Sequence, residues 1–215
     1  MHWLGRLLGP ARDLDVQLAY FREESAALDA RDRRSLAPFI THLEAQRHTV
    51  QESLLNELKR ARYLDLIRRL QQAAHDPTAV ESAVTLRDLA KQEFTTLRNA
   101  IRQAGHAPTN ANIHETRIKT KRARYAAELA ESTIGKPATR FINKARVVQD
   151  VLGLHQDAIQ AEAYIRAFLK QSTSARAAFV AGRMVERQRQ RRERAREKIQ
   201  RLLRGLLKRG EKAWG

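Results

Sequence analysis

The sequence contains no cysteine, which excludes disulfides, thiolate nucleophiles and cysteine-ligated zinc sites. Aromatic residues make up only 6% of the 215 residues, and none is interleaved among the arginines near the carboxyl end. No stretch approaches the ~18 uninterrupted apolar residues that a membrane span needs, and the opening residues lack the pattern of a signal peptide. We therefore expect a cytoplasmic protein that is neither exported nor integral to a membrane.

The common catalytic and metal-binding motifs are also missing. There is no Walker loop, no glycine-rich dinucleotide turn and no serine elbow. His42 and His48 are six residues apart, which places them on opposite faces of a helix, and the HETRI segment lacks the second histidine of a zincin helix. The sequence thus predicts no metal site, no cofactor and no enzymatic activity.

Acidic residues are scarce in the second half of the chain. The formal net charge is +17, and residues 110–215 hold 25 Lys+Arg against 10 Asp+Glu, whereas residues 1–109 hold 16 against 14. A field of this kind concentrates polyanions and speeds their arrival. The charge distribution therefore predicts a polyanionic partner for the second half.

Apolar residues recur with helical spacing nearly throughout, and no run alternates long enough to predict a strand. The pattern predicts an all-α protein of about eight helices, with breaks at Asp76-Pro77, at the GHAPTN segment and at Gly135-Lys136-Pro137. The first predicted helix has Pro10 in its first turn and runs to about Ala30, and the second is capped by Ser35 and includes Leu58. The other predicted helices span about Tyr63 to Ala74, Val84 to Gln103, His114 to Ser132, a helix after the Gly135-Lys136-Pro137 turn that ends at about Leu152, Leu154 to Gln171, and Ala175 to Arg209.

A faint internal repeat relates the two ends of this pattern. LLGPARDLDV aligns with VLGLHQDAIQ, so that Gly9 matches Gly153 and Asp13 matches Asp157. Each segment predicts a helix that opens after a glycine turn, with a structural acid in its first turn where the helix dipole favours it. These acids are expected to orient a nearby arginine, with Arg12 and Arg146 as candidates.

The segment HETRIKTKRARY carries the strongest functional signal. At about 100° per residue, His114, Arg117, Lys121 and Arg124 fall within roughly 80° of one helix face. Like charges beside a buried surface repel unless an anion lies between them, although a solvated face paired with acids such as Glu128 is the simpler alternative. The flank that we expect the helix to bury carries Ile118, Tyr125 and Leu129.

A second basic row lies on the closing helix. Its members fall within about 80° of arc: Arg183, Arg187, Arg191, Arg194, Lys198 and Arg201. A basic helix of this kind could bind a membrane surface, nucleic acid or a simpler polyanion. Few aromatics disfavour the membrane and leave nucleic-acid bases little to stack on, so binding to nucleic acid would be mostly phosphate contact. We expect this row and the His114 row to face one basic groove.

Together these residues resemble a known family. HETRIKTKRARYAAEL followed by LGLHQDAIQAEAYI is similar to the second half of the CHAD domain, the conserved histidine α-helical domain, and LGRLLGPARDLDV looks like the end of that domain's first half. The resemblance covers nearly the whole chain. It implies that residues 1–215 form a single domain made of two duplicated helical halves. Residues 1–109 would form an incomplete first half, and residues 110–215 the second, basic half.

The resemblance also implies a function, namely non-catalytic binding of inorganic polyphosphate, with association with polyphosphate granules. The predicted binding residues are His114, Arg117, Lys121, Arg122, Arg124, Arg146, Arg183, Arg187, Arg191 and Arg194. The Glu-x-Glu-x-Lys signature of the CYTH triphosphatases often linked to this domain is missing, so no hydrolysis is expected. The family has a His-motif helix in each half, and the helix of the first half has no counterpart in this sequence. We therefore expect either that the start of the sequence is truncated or misassigned, or that a second copy of the chain supplies the missing helix. Nucleic-acid binding is the alternative function.

Overall fold

The computed structural model describes residues 2–76 and 83–215, and this part of the chain is built of helices joined by short turns, with no strand. The all-α prediction is confirmed. The eight helices of the described residues are α1 (His2–Ala26), α2 (Ala30–Leu58), α3 (Ala61–His75), α4 (Leu86–Ala104), α5 (Asn110–Leu129), α6 (Glu131–Ile134), α7 (Lys136–Leu169) and α8 (Ala175–Trp214).

The chain divides into two compact units, each assembled from separate segments. The first comprises Met1–Glu81 and Ala161–Val185, and the second comprises Ser82–Gln160 and Glu186–Gly215. Helices α7 and α8 therefore each contribute one part to each unit. These units do not follow the sequence boundary drawn between residues 109 and 110.

The core of the first unit is built from long aliphatic and aromatic side chains. Phe21 of α1 packs edge-on against Phe39 of α2, with ring centroids 4.8 Å apart, and both rings are buried. Val180 and Met184 of α8 complete the same cluster. Val180 and Met184 are four positions apart, so both lie on one face of α8, and that face is buried.

The core of the second unit centres on three aromatic rings. Phe141 of α7 packs edge-on against Trp214 of α8 at 4.7 Å, and Phe94 of α4 contacts both rings. The buried face of α5 adds small side chains, among them Ala123 and Ala127. Helices α4, α5, the first part of α7 and the second part of α8 therefore share one apolar core.

Several predicted helix ends are wrong because local signals were misassigned. Pro10 lies inside α1, which begins at His2, and not in a first turn. Asp29 caps α2 by accepting from the backbone N–H groups of Arg31 and Asp32, whereas the Ser35 hydroxyl donates to the Asp32 carbonyl at 2.7 Å. The cap lies at Asp29 because its carboxylate reaches free N–H groups, while Ser35 is already inside the helix.

The predicted break at Gly153 is also wrong. Helix α7 runs unbroken through this glycine, so the two helices predicted on either side of it are one. Asp157 therefore lies in the interior of α7, and Asp13 lies in the interior of α1. A helix interior tolerates a single glycine at a modest cost in stability, so glycine alone does not end a helix.

The ends of the remaining helices agree more closely with prediction. Helix α4 ends at Ala104, where Gly105 of the GHAPTN segment takes a positive φ of 63°. Asp76 follows the last residue of α3, while Pro77 lies outside the described residues. Helix α8 continues beyond the predicted Arg209 to Trp214, because Trp214 is buried in the second core.

Candidate anion-binding site

The basic row on α5 is part of a well-formed helix in the second unit. Helix α5 begins at Asn110, four residues before the predicted start, because Thr109 and Asn112 form a reciprocal capping box. We call the side chains on one face of this helix the α5 row: His114, Arg117, Lys121 and Arg124.

The face that α5 buries differs from the predicted one. Ile118, Tyr125 and Leu129 are 42%, 49% and 64% exposed, so their predicted burial is wrong. The buried side chains are instead mostly small: Ile113, Thr116, Thr120, Ala123 and Ala127. Small side chains let neighbouring helices approach closely, and the Thr120 hydroxyl is satisfied by the Thr116 carbonyl at 2.7 Å. The α5 row lies between this buried stripe and the exposed apolar strip.

One acid serves two of the predicted arginines. Glu128 Oε1 accepts from Arg124 Nη1 at 2.6 Å and from Arg146 Nη2 at 3.0 Å. This bridge brings Arg146 of α7 beside the α5 row. It also leaves Arg124 Nε buried without a hydrogen-bond partner. Arg124 is thus paired with an acid, as the simpler alternative predicts, but its side chain is mostly buried and not solvated.

His114 contacts the same neighbouring helix. Its Nδ1 lies 3.2 Å from Oε1 of Gln156 on α7. With the amide oxygen as acceptor, Nδ1 carries the proton and donates. Nε2 is an acceptor when the imidazole is neutral and a donor when it is protonated, so a protonated His114 could donate a hydrogen bond from Nε2 to an anion.

Arg117 and Lys121 differ from their neighbours in the α5 row. Both side chains are half-buried, and within the described ranges neither forms a hydrogen bond or an ion pair. The acid on their face, Glu128, already accepts from two arginines. The row therefore holds two partly desolvated cations whose donors are available to a ligand.

Arg122 lies on another side of α5. Its Nη2 donates to Glu93 Oε1 on α4 at 2.8 Å. The two residues line a shallow apolar groove of about 310 Å³ together with Tyr125 and Leu129. One residue beyond Lys121, Arg122 is displaced by about 100° around the helix and stands apart from the α5 row.

The predicted arginines of α8 have varied surroundings. In the first unit, Arg183 Nη1 lies 3.0 Å from the buried carboxylate of Asp32, which also accepts from Arg176 at 2.7 Å. In the second unit, Arg191 donates to the buried Gln188 at 3.0 Å. Arg187 and Arg194 are both exposed on the same helix. A common groove for this row and the α5 row stays a prediction.

The two structural acids have different surroundings. Burial, and secondarily the charge of Asp13, raises the pKa of Tyr164, so Asp13 lies near this phenol in the first unit. Asp157 lies in the second-unit part of α7, the same part that carries Arg146. Their predicted role in orienting arginines stays a prediction, and their predicted position in a first turn is wrong.

Sequence reasoning missed a polar cluster around a buried histidine in the second unit. His155 is fully buried, and its Nε2 accepts from Arg196 Nε at 3.3 Å. Arg196 Nη2 also donates to Asn110 Oδ1 at 2.5 Å, at the start of α5. Burial, followed by the charges of Arg196 and Arg192, lowers the pKa of His155 to about 4. The spacing of His155, three residues after Leu152, indicates burial only because α7 runs unbroken through Gly153, which the sequence analysis did not predict.

Residues 2–76 and 83–215 contain no group of three or more His, Asp or Glu side chains placed to hold a metal ion. No helix within those ranges combines the length and the apolar character that crossing a membrane requires.

Comparison with known proteins gives one family and two relatives. The family model described as CHAD domain matches residues 1–166. The relatives are Uncharacterized protein MT2285 of Mycobacterium tuberculosis (strain CDC 1551 / Oshkosh) and Uncharacterized protein Rv2226 of Mycobacterium tuberculosis (strain ATCC 25618 / H37Rv). Each is 28% identical over 229 residues, which cover 98% of this chain and 42% of the relative. The chain thus spans less than half the length of either relative.

Proposed function

Because the chain belongs to the CHAD domain family, we propose that it binds inorganic polyphosphate without hydrolysing it. The α5 row is the centre of the proposed site, and Arg146 extends it onto α7 through the shared Glu128. Further proposed contacts are Arg122, Arg187, Arg191 and Arg194, while Arg183 is expected to contribute less because it is paired with Asp32.

The observation that supports this proposal is that Arg117 and Lys121 are half-buried and have no acid partner among the described residues. Both are partly removed from water, and neither has an acid partner in residues 2–76 or 83–215. A cation in that position is desolvated without compensation, and an anion between the two would relieve their repulsion. Such a site favours a ligand with closely spaced negative charges.

The side chains of the row suit phosphate oxygens in particular. A guanidinium fork matches two phosphate oxygens, and an ammonium adds a point charge. His114 adds a third donor at Nε2 when it is protonated, because Nδ1 is oriented by Gln156. Binding free energy would come largely from neutralising successive phosphates and releasing their counterions, so affinity should fall steeply with salt.

The experiment compares two double variants in the retention of long-chain polyphosphate over a series of salt concentrations. Arg117→Gln with Lys121→Gln should weaken retention and lower the slope of log affinity against log salt by about two, one for each lost phosphate contact. The control, Lys91→Gln with Arg102→Gln, removes the same charges from exposed positions on α4. Equal retention by the two double variants would refute the site, provided that circular dichroism shows the same helical content.

Nucleic-acid binding is the second candidate, and the basic row of α8 is the observation that favours it. The same phosphate contacts would serve a nucleic-acid backbone, although few aromatic side chains are present for stacking. Competition of bound polyphosphate with duplex DNA and with RNA, at matched phosphate concentration, separates the two. Displacement by either nucleic acid at a lower phosphate concentration than free polyphosphate requires would favour the second candidate.

The proposed activity also sets an expected place in the cell. A cytoplasmic protein that retains long-chain polyphosphate would be recruited to polyphosphate granules. Localisation of a fluorescent fusion, with the Arg117 and Lys121 double variant as control, tests this expectation.

A further inference from the structure

A second concentration of positive charge lies between α7 and α8, away from the α5 row. It surrounds a cleft of about 520 Å³ within the second unit, which we call the α7–α8 cleft. Its lining residues are Lys144, Gly205, Lys208, Arg209, Glu211 and Lys212. We propose that the α7–α8 cleft is a separate binding site for a short oligophosphate.

The charge of the cleft is unbalanced. Four of its lining side chains are cationic and one, Glu211, is acidic. In the described part of the chain, none of these five charged side chains forms a hydrogen bond or an ion pair. Glu211 offsets only one of the four positive charges, so a net positive charge remains around a concave surface. A multiply charged anion would balance this charge.

Gly205 gives the cleft its shape. A Cβ atom at this position would lie 2.9 Å from Cε and 3.5 Å from Nζ of Lys144. Because glycine has no Cβ, the end of the Lys144 side chain lies directly against the backbone of α8. Glycine is unfavourable in a helix interior compared with alanine, and at Gly205 it leaves room for the Cε methylene of Lys144 to lie against α8.

Helix stability alone does not account for this arrangement. Cations near the carboxyl end of a helix interact favourably with its dipole, which would explain Lys208, Arg209 and Lys212 near the end of α8. Lys144 has no such role, because it lies in the interior of α7 and reaches across to the other helix. Two helices thus direct cations at the same space.

The cleft is distinct from the proposed polyphosphate site. On α7, Lys144 and Arg146 are two residues apart and therefore point about 160° away from each other. The buried stripe that includes Val148 and Leu152 lies between these two directions. Arg146 turns towards Glu128 of α5, whereas Lys144 turns towards α8. The inference therefore does not depend on the α5 row.

The size and lining of the cleft indicate the class of ligand. Its volume lies within the range of about 300–1,000 Å³ that is usual for small-molecule sites, and one phosphate group would leave most of it unfilled. No aromatic side chain lines it, so a nucleobase would find no stacking surface. A run of a few linked phosphates, either free or at the end of a longer chain, fits both observations.

The test titrates tripolyphosphate into the full chain by calorimetry at fixed salt. The triple variant Lys144→Gln, Lys208→Gln, Lys212→Gln should bind at least about tenfold more weakly, because each lost charge-assisted contact contributes to affinity. The control Lys59→Gln, Lys91→Gln, Lys170→Gln removes the same charge from exposed lysines outside the cleft and should stay close to the parent protein.

A single substitution tests the geometry without removing any charge. Gly205→Ala would require the flexible end of Lys144 to shift away from the backbone of α8, while the added methyl favours helix formation. We expect weaker binding of tripolyphosphate with an unchanged or higher melting temperature. This result cannot come from unfolding or from a change in net charge.

The outcomes separate this inference from the proposed function. Retained tripolyphosphate binding in the Arg117 and Lys121 double variant, with loss in the cleft variants, supports a separate site. If the parent protein does not bind tripolyphosphate, or if the cleft variants bind it as tightly as the lysine control, the inference is wrong whatever the α5 row binds. Long-chain polyphosphate as a second titrant then shows whether the cleft takes free oligophosphate or the end of the polymer.

Discussion

Arg196 donates from Nε to Nε2 of His155 at 3.3 Å, and the imidazole that accepts this bond is fully buried. The pKa of His155 falls to about 4, first because of burial and then because of the positive charges of Arg196 and Arg192. His155 is therefore an acceptor that must stay neutral for the bond to persist.

This relationship predicts a loss of stability in mild acid. The unfolded chain takes up a proton on this histidine below about pH 6.5, whereas the folded chain does so only near pH 4. The stability contributed by neutral His155 is complete above pH 6.5 and is lost as the pH falls towards 4, by up to about 3 kcal/mol. Urea unfolding at a series of pH values between 7.5 and 5 measures this change in the free energy of unfolding.

Two variants serve as the comparison for this effect. His155→Gln keeps an acceptor for Arg196 but does not titrate, so its free energy of unfolding should fall less over the same range. His48→Gln changes an exposed histidine paired with Glu52 and should follow the parent protein. Parallel pH profiles for His155→Gln and the parent protein would contradict the prediction.

Substitution of Glu128 should raise the affinity for polyphosphate, whereas substitution of Arg117 and Lys121 should lower it. Glu128→Gln removes the negative charge that holds Arg124 and Arg146, so both guanidinium groups become available to phosphate. We expect affinity for long-chain polyphosphate to rise by about two- to fivefold, because such a charge interaction is worth up to ~1 kcal/mol. Glu44→Gln, which changes an acid paired with Arg22 in the first unit, adds the same charge as control. A similar rise in both variants would mean that net charge alone is responsible.

Gly210 of α8 lies directly against Phe94 of the aromatic core. A Cβ atom there would lie 2.0 Å from Cε2 of Phe94, so Gly210→Ala must displace a buried ring. We expect the free energy of unfolding to fall by about 2 kcal/mol or more. Gly182→Ala, on the same helix with nothing within 4 Å, should instead raise it by up to about 1 kcal/mol. Denaturant unfolding of both variants measures this contrast, and equal effects would contradict the packing.

Periodicity predicted where the chain is helical more reliably than where a helix stops. Phe39 and Leu43 of α2 are four residues apart and both are buried, which is the spacing that indicates a helix. The sequence predicts helix ends near Pro10 and at Gly153, yet both residues lie inside helices. A glycine or proline lowers the stability of a helix locally, and packing of the residues on either side decides whether the helix continues.

The site shows a different limit of sequence reasoning. Spacing placed His114, Arg117, Lys121 and Arg124 on one face, but it assigned burial to Tyr125 because large apolar side chains are the usual core residues. In the structure the small Ala123 and Ala127 are buried, since they allow α5 to lie close to its neighbours. Pairing across helices, such as Glu128 with Arg146, joins residues 18 positions apart and leaves no periodic signal.

The carboxylate of Asp32 holds Arg176 across 144 residues of chain, and the first unit as a whole joins Met1–Glu81 to Ala161–Val185. A ribosome releases the amino-terminal segment long before the segment that completes its core. Until translation passes residue 185, Phe21 and Phe39 of the nascent chain lack the partners that Val180 and Met184 supply. Late closure of this kind slows folding and prolongs the exposure of apolar surface while the chain is being made.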